Sequence, residues 1–211
     1  MIFQKAIFFL QKRKLFSQLK SVGSNFIFCK NSDFITSDII EIGDNIFIGQ
    51  GAYISAAVKI GNNVMFGPFP TILGGNHYFG VRGKSNRFLK APNRENVKQI
   101  IIEDEVWCGA SVIILGGTTL HKGAVVGTGS IVNRSLPPFA VCSGNPCKPL
   151  KLIFSDTDFE IHLQELGYND GIISETIEKR KELIACFKLR SDELKIVNNT
   201  AEYLDLYKNA K

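Results

Sequence analysis

No stretch of this 211-residue chain stays apolar for the roughly 18 positions that a membrane-crossing helix requires. The opening run Ala6–Leu10 is short and leads into Lys12, Arg13 and Lys14 rather than a small-residue cleavage site, so it does not read as a secretory signal. The expectation is a cytoplasmic chain, attached at most peripherally to the inner membrane face. Histidine is scarce too. His77, His121 and His162 lie far apart and share no metal-ligand spacing with Cys29, Cys108, Cys142, Cys147 or Cys186. A zinc site of three clustered histidines is thereby excluded, and no metal is expected. Five cysteines with no CxxC pair argue against a disulfide framework and for thiols that pack in a reducing compartment. Acids are missing from residues 1–20, where Lys5, Lys12, Arg13, Lys14 and Lys20 match the whole net charge of +5. Two readings of that basic start stay open: weak association with an acidic membrane surface or other anion, and the solvated face of a capping helix. A nucleic-acid partner has no further support.

What the chain does have is a period of six. Ile42, Ile48, Ile54, Ile60, Phe66 and Ile72 mark one tract, and Ile102, Cys108, Ile114, Leu120, Val126 and Val132 a second. Glycine often follows the mark, and a small or branched residue stands four places after it, as in Ala52, Val58, Val112, Thr118 and Ser130. A bulky aliphatic per short strand, a smaller neighbour inside, and glycine or asparagine at the strained corner describe triangular coils of three hexads. Val22, Phe28 and Phe34 extend the step upstream before a two-residue slip to Ile42. Residues 1–21, with Phe3, Ile7, Leu10 and Phe16 on one stripe, read as an amphipathic capping helix. Beyond the repeat, residues 154–211 contain SDTDFEIHLQEL and SETIEKRKELIACFKLR, two helical pieces broken near Gly167–Gly171, with Ile177, Ile184 and Phe187 on one side. Handedness does not follow from the period. The hexads resemble those of the hexapeptide-repeat acyltransferases, which implies a left-handed parallel β-helix over residues 22–153, usually assembled as a homotrimer. The fold class expected is an all-β solenoid with a helix before it and a helical extension after it.

The period fails after Ile72 and returns near Ile101, leaving an extruded loop over about 73–100. Long loops in compact solenoids usually carry function. This one holds Arg82, Lys84, Arg87, Lys90 and Arg94 against Glu95, a basic flap suited to an anionic ligand such as coenzyme A or an acidic glycan, or simply a soluble loop. His77 stands at its root. Neutral imidazole is a suitable base for drawing a proton from a hydroxyl that attacks a thioester.

TILGGNHYF, residues 71–79, is similar to the segment bearing the catalytic histidine in the maltose, galactoside and capsular-polysaccharide O-acetyltransferase branch. That resemblance implies His77 as general base, acetyl-coenzyme A as co-substrate, and active sites between subunits. Residues 106–151 resemble the branch's acetyl-coenzyme A half. There Trp107 matches a tryptophan beside the active site, and Ala110, Thr128 and Ser130 fall along the pantetheine arm. Asn133 and Arg134 stand where threonine and lysine are more usual, and Lys148 of GNPCKPLK falls near the adenosine phosphate. Tyr53, Ser55 and Asn76 are the candidate acceptor contacts, Tyr53 and Ser55 replacing an asparagine of the galactoside branch. His121 and His162 read as structural. The function implied is O-acetylation of a sugar hydroxyl of an O-antigen, capsule or other envelope glycan or its precursor. A small free acceptor and a non-catalytic trimeric scaffold are the alternatives.

Overall fold

The computed structural model describes residues 10, 12–75, 78–89 and 98–197. Phe3, Ile7, Asn76, His77, Lys90, Arg94 and Glu95 lie outside the described residues. Over the described residues the chain winds through five three-strand coils. The first is β1 (Ser21–Val22), β2 (Phe26–Phe28) and β3 (Asp33–Phe34), and the second β4 (Ile40–Ile42), β5 (Ile46–Ile48) and β6 (Tyr53–Ser55). The third is β7 (Val58–Ile60), β8 (Met65–Phe66) and β9 (Thr71–Leu73), and the fourth β10 (Ile100–Ile102), β11 (Trp107–Cys108) and β12 (Ile113–Leu115). The fifth is β13 (Thr119–Leu120), β14 (Val125–Val126) and β15 (Ile131–Val132). Each strand pairs in parallel with its counterpart one coil away, so the coils stack into three flat faces. The first face holds β1, β4, β7, β10 and β13; the second begins β2, β5, β8, β11, β14; the third holds β3, β6, β9, β12 and β15.

Every mark of both tracts is buried in one continuous core, together with the smaller residues four places on. The register explains the irregular steps. Ile42 pairs with Ile60, an 18-residue coil. Val22 pairs with Ile42 over 20 residues, and the two extra residues are taken up by a 3-10 turn at Ser37–Ile39. Ile60 pairs with Ile102 over 42, so 24 residues leave the coil between β9 and β10 and return without disturbing the stack.

The corner between the first and second faces is a hydrogen-bonded column. Asn25 Nδ2 donates to Asn45 Oδ1 at 3.1 Å, and Asn45 Nδ2 to Asn63 Oδ1 at 3.0 Å. These asparagines have φ of 53°, 57° and 56°, a left-handed conformation that asparagine tolerates better than most residues. A second column runs beside the first: the Asp44 carboxylate accepts from Ser24 N–H, Asn62 Oδ1 from Asp44 N–H, and Asp104 Oδ1 from Asn62 N–H.

The two ends are built differently from the middle. Residues 12–18 are helical (α1), and Leu15, Phe16 and Leu19 pack on the first coil, with the Phe16 and Phe26 rings stacked 5.5 Å apart. At the other end β16 (Ala140–Ser143) joins β14 in parallel, β17 (Lys148–Leu152) turns back antiparallel on β16, and β18 (Lys195–Ile196) pairs with β17. Between them lie α2 (Asp156–Glu165) and α3 (Asp170–Cys186), packed through Phe139, Phe159, Leu163 and Ile173. Arg180 of α3 is fully buried over the Phe159 ring, donating to Phe154 O and paired with Asp156. This locks the two helices together, because a buried guanidinium without its carboxylate is costly. Among the described residues no helix is long and apolar enough to cross a membrane.

Candidate active site

The third corner, where third-face strands hand over to the first face, carries the long insertion. Two copies of the tetrapeptide ILGG, Ile72–Gly75 and Ile114–Gly117, lie side by side there, since Leu73 pairs with Leu115. A Cβ on Gly116 would come within 2.6 Å of Gly74 O, so glycine lets the backbones approach where the loop departs. Tyr53 and Ser55 pair with Thr71 and Leu73 from the preceding coil, and Gly74 N donates to Ser55 O at 2.9 Å. The fold thus brings Tyr53, exposed, and Ser55, half-buried, to the loop root from which Asn76 and His77 follow directly in sequence. Further out, Arg82, Lys84 and Arg87 are exposed, and so are Tyr78, Phe79, Val81 and Phe88, the last at 83%. Tyr78 and Phe79 stand before the loop's first cation and Phe88 directly after Arg87, so aromatic and cationic side chains share this exposed segment.

Trp107 lies elsewhere. It points outward from the second face, 49% exposed, between Met65 and Val125 in register, in a row that continues to Phe47 and Ile27. Within one chain it does not meet the loop root, which belongs to the third corner.

The proposed cofactor residues divide into three settings. Ala110 and Thr128 occupy successive coils at the second corner, Thr128 exposed. Ser130, two residues after Thr128, turns its side chain into the core. It is fully buried, its hydroxyl donating to Gly127 O at 2.6 Å and accepting from Gly144 N–H at 3.1 Å, because it occupies an inward position of its hexad. Asn133, Arg134 and Lys148 line a cavity of about 300 Å³ together with Pro146, Cys147 and three residues of the tail, Cys186, Phe187 and Lys188. Among the described residues no carboxylate lines it, so three cations face one space and the site favours an anion. Leu73, Leu115 and Asn133 succeed one another along the third corner, which puts this cavity two strand spacings, roughly 10 Å, from the loop root.

A larger cavity, about 560 Å³, lies between the first corner and the helices, but its polar groups largely satisfy one another. His121 Nδ1 is 2.9 Å from Glu103 Oε1, Glu103 Oε2 accepts from Lys122 N–H, and Lys122 bonds to the Tyr168 hydroxyl. Burial alone would raise the Glu103 carboxyl, yet His121 and Lys122 hold it below its ordinary value. His162 packs against the Phe139 and Phe154 rings. Burial pushes the Cys108 and Cys142 thiols up, and that of Cys147 to about 11, so none of these three is a thiolate nucleophile at neutral pH. Among the described residues no group of three or more His, Cys, Asp or Glu could hold a metal ion.

The profile described as "Hexapeptide repeat of succinyl-transferase" matches residues 39–67 and 99–134, the coils on either side of the insertion. A galactoside O-acetyltransferase of Lactococcus lactis is 33% identical over 128 residues, 57% of this chain; the chain spans only 58% of that relative's length. A galactoside acetyltransferase solved in complex with coenzyme A is 28% identical, with a TM-score of 0.60 over 71% of this chain and 73% of that one. A hexapeptide-repeat acetyltransferase of Vibrio cholerae O1 biovar eltor, solved with acetyl-coenzyme A, is 25% identical, with a TM-score of 0.56 over 67% and 75% of the two chains.

Proposed function

The chain belongs to the hexapeptide-repeat family of left-handed β-helices, and from that premise we propose that it is an acetyl-coenzyme A-dependent O-acetyltransferase acting on a hydroxyl of an envelope glycan or its precursor. The observation that carries this reading is the cationic cavity at the third corner, two coils from the root of the loop that bears His77. An anionic nucleotide end held at Arg134 and Lys148 leaves the pantetheine arm free to run back along the third corner toward that root, where Ala110 and Thr128, at the second corner, meet it from a neighbouring subunit.

His77 takes the proton of the acceptor hydroxyl as its oxygen attacks the thioester carbonyl. The tetrahedral intermediate collapses with loss of the coenzyme thiolate, which takes the proton from the imidazolium; no covalent enzyme intermediate is formed. Trp107 supplies an indole N–H and an aromatic wall to the developing charge. Because Trp107 and the loop root occupy different faces of one chain, the complete site is assembled between subunits of a homotrimer, the loop of one reaching the second face of the next. Tyr53, Ser55 and Asn76 face the acceptor, and the exposed aromatics of the loop suit stacking on sugar rings. The basic amino terminus fits a cytoplasmic enzyme working close to the inner membrane face.

The test is release of free thiol from acetyl-coenzyme A with lipid-linked glycans in one arm and free sugars in the other. His77→Ala is expected to lower turnover by at least about 100-fold with coenzyme binding and folding intact. Retention of a tenth of the activity removes His77 from the mechanism. Turnover of free sugars alone transfers the assignment to a small acceptor.

A further inference from the structure

Resting on the donor reading above, we infer that Lys188, from the segment following α3, binds a phosphate of the coenzyme's nucleotide end, making the carboxy-terminal tail part of the donor site. The cavity at the third corner has walls from three separate stretches: Asn133 and Arg134 at the end of the fifth coil, Pro146–Lys148 at the last turn, and Cys186–Lys188. The coils supply two cations and the tail the third. A phosphate on an open surface is attracted weakly because water and salt screen it; one ringed by three cations in a concave site is attracted more strongly.

Lys188 is held in place by its neighbours. Ile184 is buried in the main core, Phe187 and Leu189 pack against it on either side, and β18 is paired to β17 with Val197 N donating to Leu152 O. Lys188 itself has φ of 60°, and its N–H donates to Ala185 O at 2.8 Å. That is the position just past a helix end where glycine is the residue of least conformational cost. The chain instead spends a long cation there, exposed and facing the cavity. A backbone outlier of this kind directs attention to the side chain that keeps it.

Two substitutions separate a binding role from a structural one. Lys188→Gly removes the cation while relieving the backbone, and Lys188→Arg keeps the charge. Calorimetric titration with coenzyme A and 3′-dephospho-coenzyme A at two salt concentrations, with melting curves alongside, reads both effects. Lys188→Gly is expected to melt about 2 °C higher yet to bind coenzyme A about tenfold more weakly, with a shallower salt dependence. Lys188→Arg is expected to stay within about threefold of the wild type. Loss of the Lys188→Gly effect with the dephospho compound identifies the 3′-phosphate as the partner, and its persistence identifies the pyrophosphate; either supports the assignment. Wild-type binding with an unchanged affinity and salt slope in Lys188→Gly overturns the role of Lys188 and leaves the donor reading standing. Absence of coenzyme binding by the wild type overturns both.

Discussion

The first and third corners follow the same six-residue rule and differ in what joins one coil to the next. At the first corner side chains do it: Asn25, Asn45 and Asn63 bond in sequence, and Ser24, Asp44, Asn62 and Asp104 form a second column beside them. At the third corner the positions are Ala56–Ala57, Gly74–Gly75, Gly116–Gly117 and Asn133–Arg134, and side-chain bonds are sporadic, such as Thr36 Oγ1 to Ala56 O. A bonded column makes every coil depend on its neighbours' side chains, and an insertion there would strand several partners at once. Where only backbone and small residues meet, the chain leaves at Gly75 and returns by Ile100 with the strands on both sides still in register. The irregular parts of the molecule, the loop and the cationic cavity, therefore collect at the corner with least to lose.

The largest effect expected from this contrast is on activity. Excising residues 76–99 restores the 18-residue step between Ile60 and Ile102; acetyl transfer should fall below about 1%, while the urea midpoint moves little, because loop length weighs only weakly on stability. A collapse of folding on excision would show that the third corner tolerates a change of length no better than the first. Next, Asn45→Ala breaks two ladder bonds and places alanine at a left-handed φ, which should cost about 2 kcal/mol. Arg134→Ala at the third corner should change stability by less than about 0.5 kcal/mol in the same urea series. The smallest effect concerns Glu103, whose folded carboxyl lies below its ordinary value. A depressed carboxyl stabilises the fold above its unfolded pKa, and the contribution disappears as pH falls through the folded one. Glu103→Gln should thus lower the melting temperature at pH 7 and converge with the wild type in acid; a constant offset at every pH would assign the loss to packing.

The core was legible because a period of six leaves an apolar residue at a fixed inward place twelve times over, and each of those residues is buried. The interruption was legible for the same reason, as a failure of register. Ser130 was legible from the same rule: its place four after Val126 puts its side chain inside, and it is fully buried. The antiparallel return of β17 and the placement of Lys188 had no period to announce them: the first is a local turn back on β16, and the second depends on how the segment after α3 packs beside the last turn. The pairing of His121 with Glu103 was likewise hidden by 18 residues of separation, although that number is the length of one coil.

The reversal of β17 has a consequence for how copies of the chain meet. A stack of parallel coils ends in a row of unpaired N–H and C=O groups, and an identical coil is the natural template for it, which is how fibres grow. Here the second face closes with a strand running the opposite way, followed by a two-residue strand at the edge. An incoming parallel coil finds the wrong direction there, so end-to-end growth on the second face is discouraged by polarity.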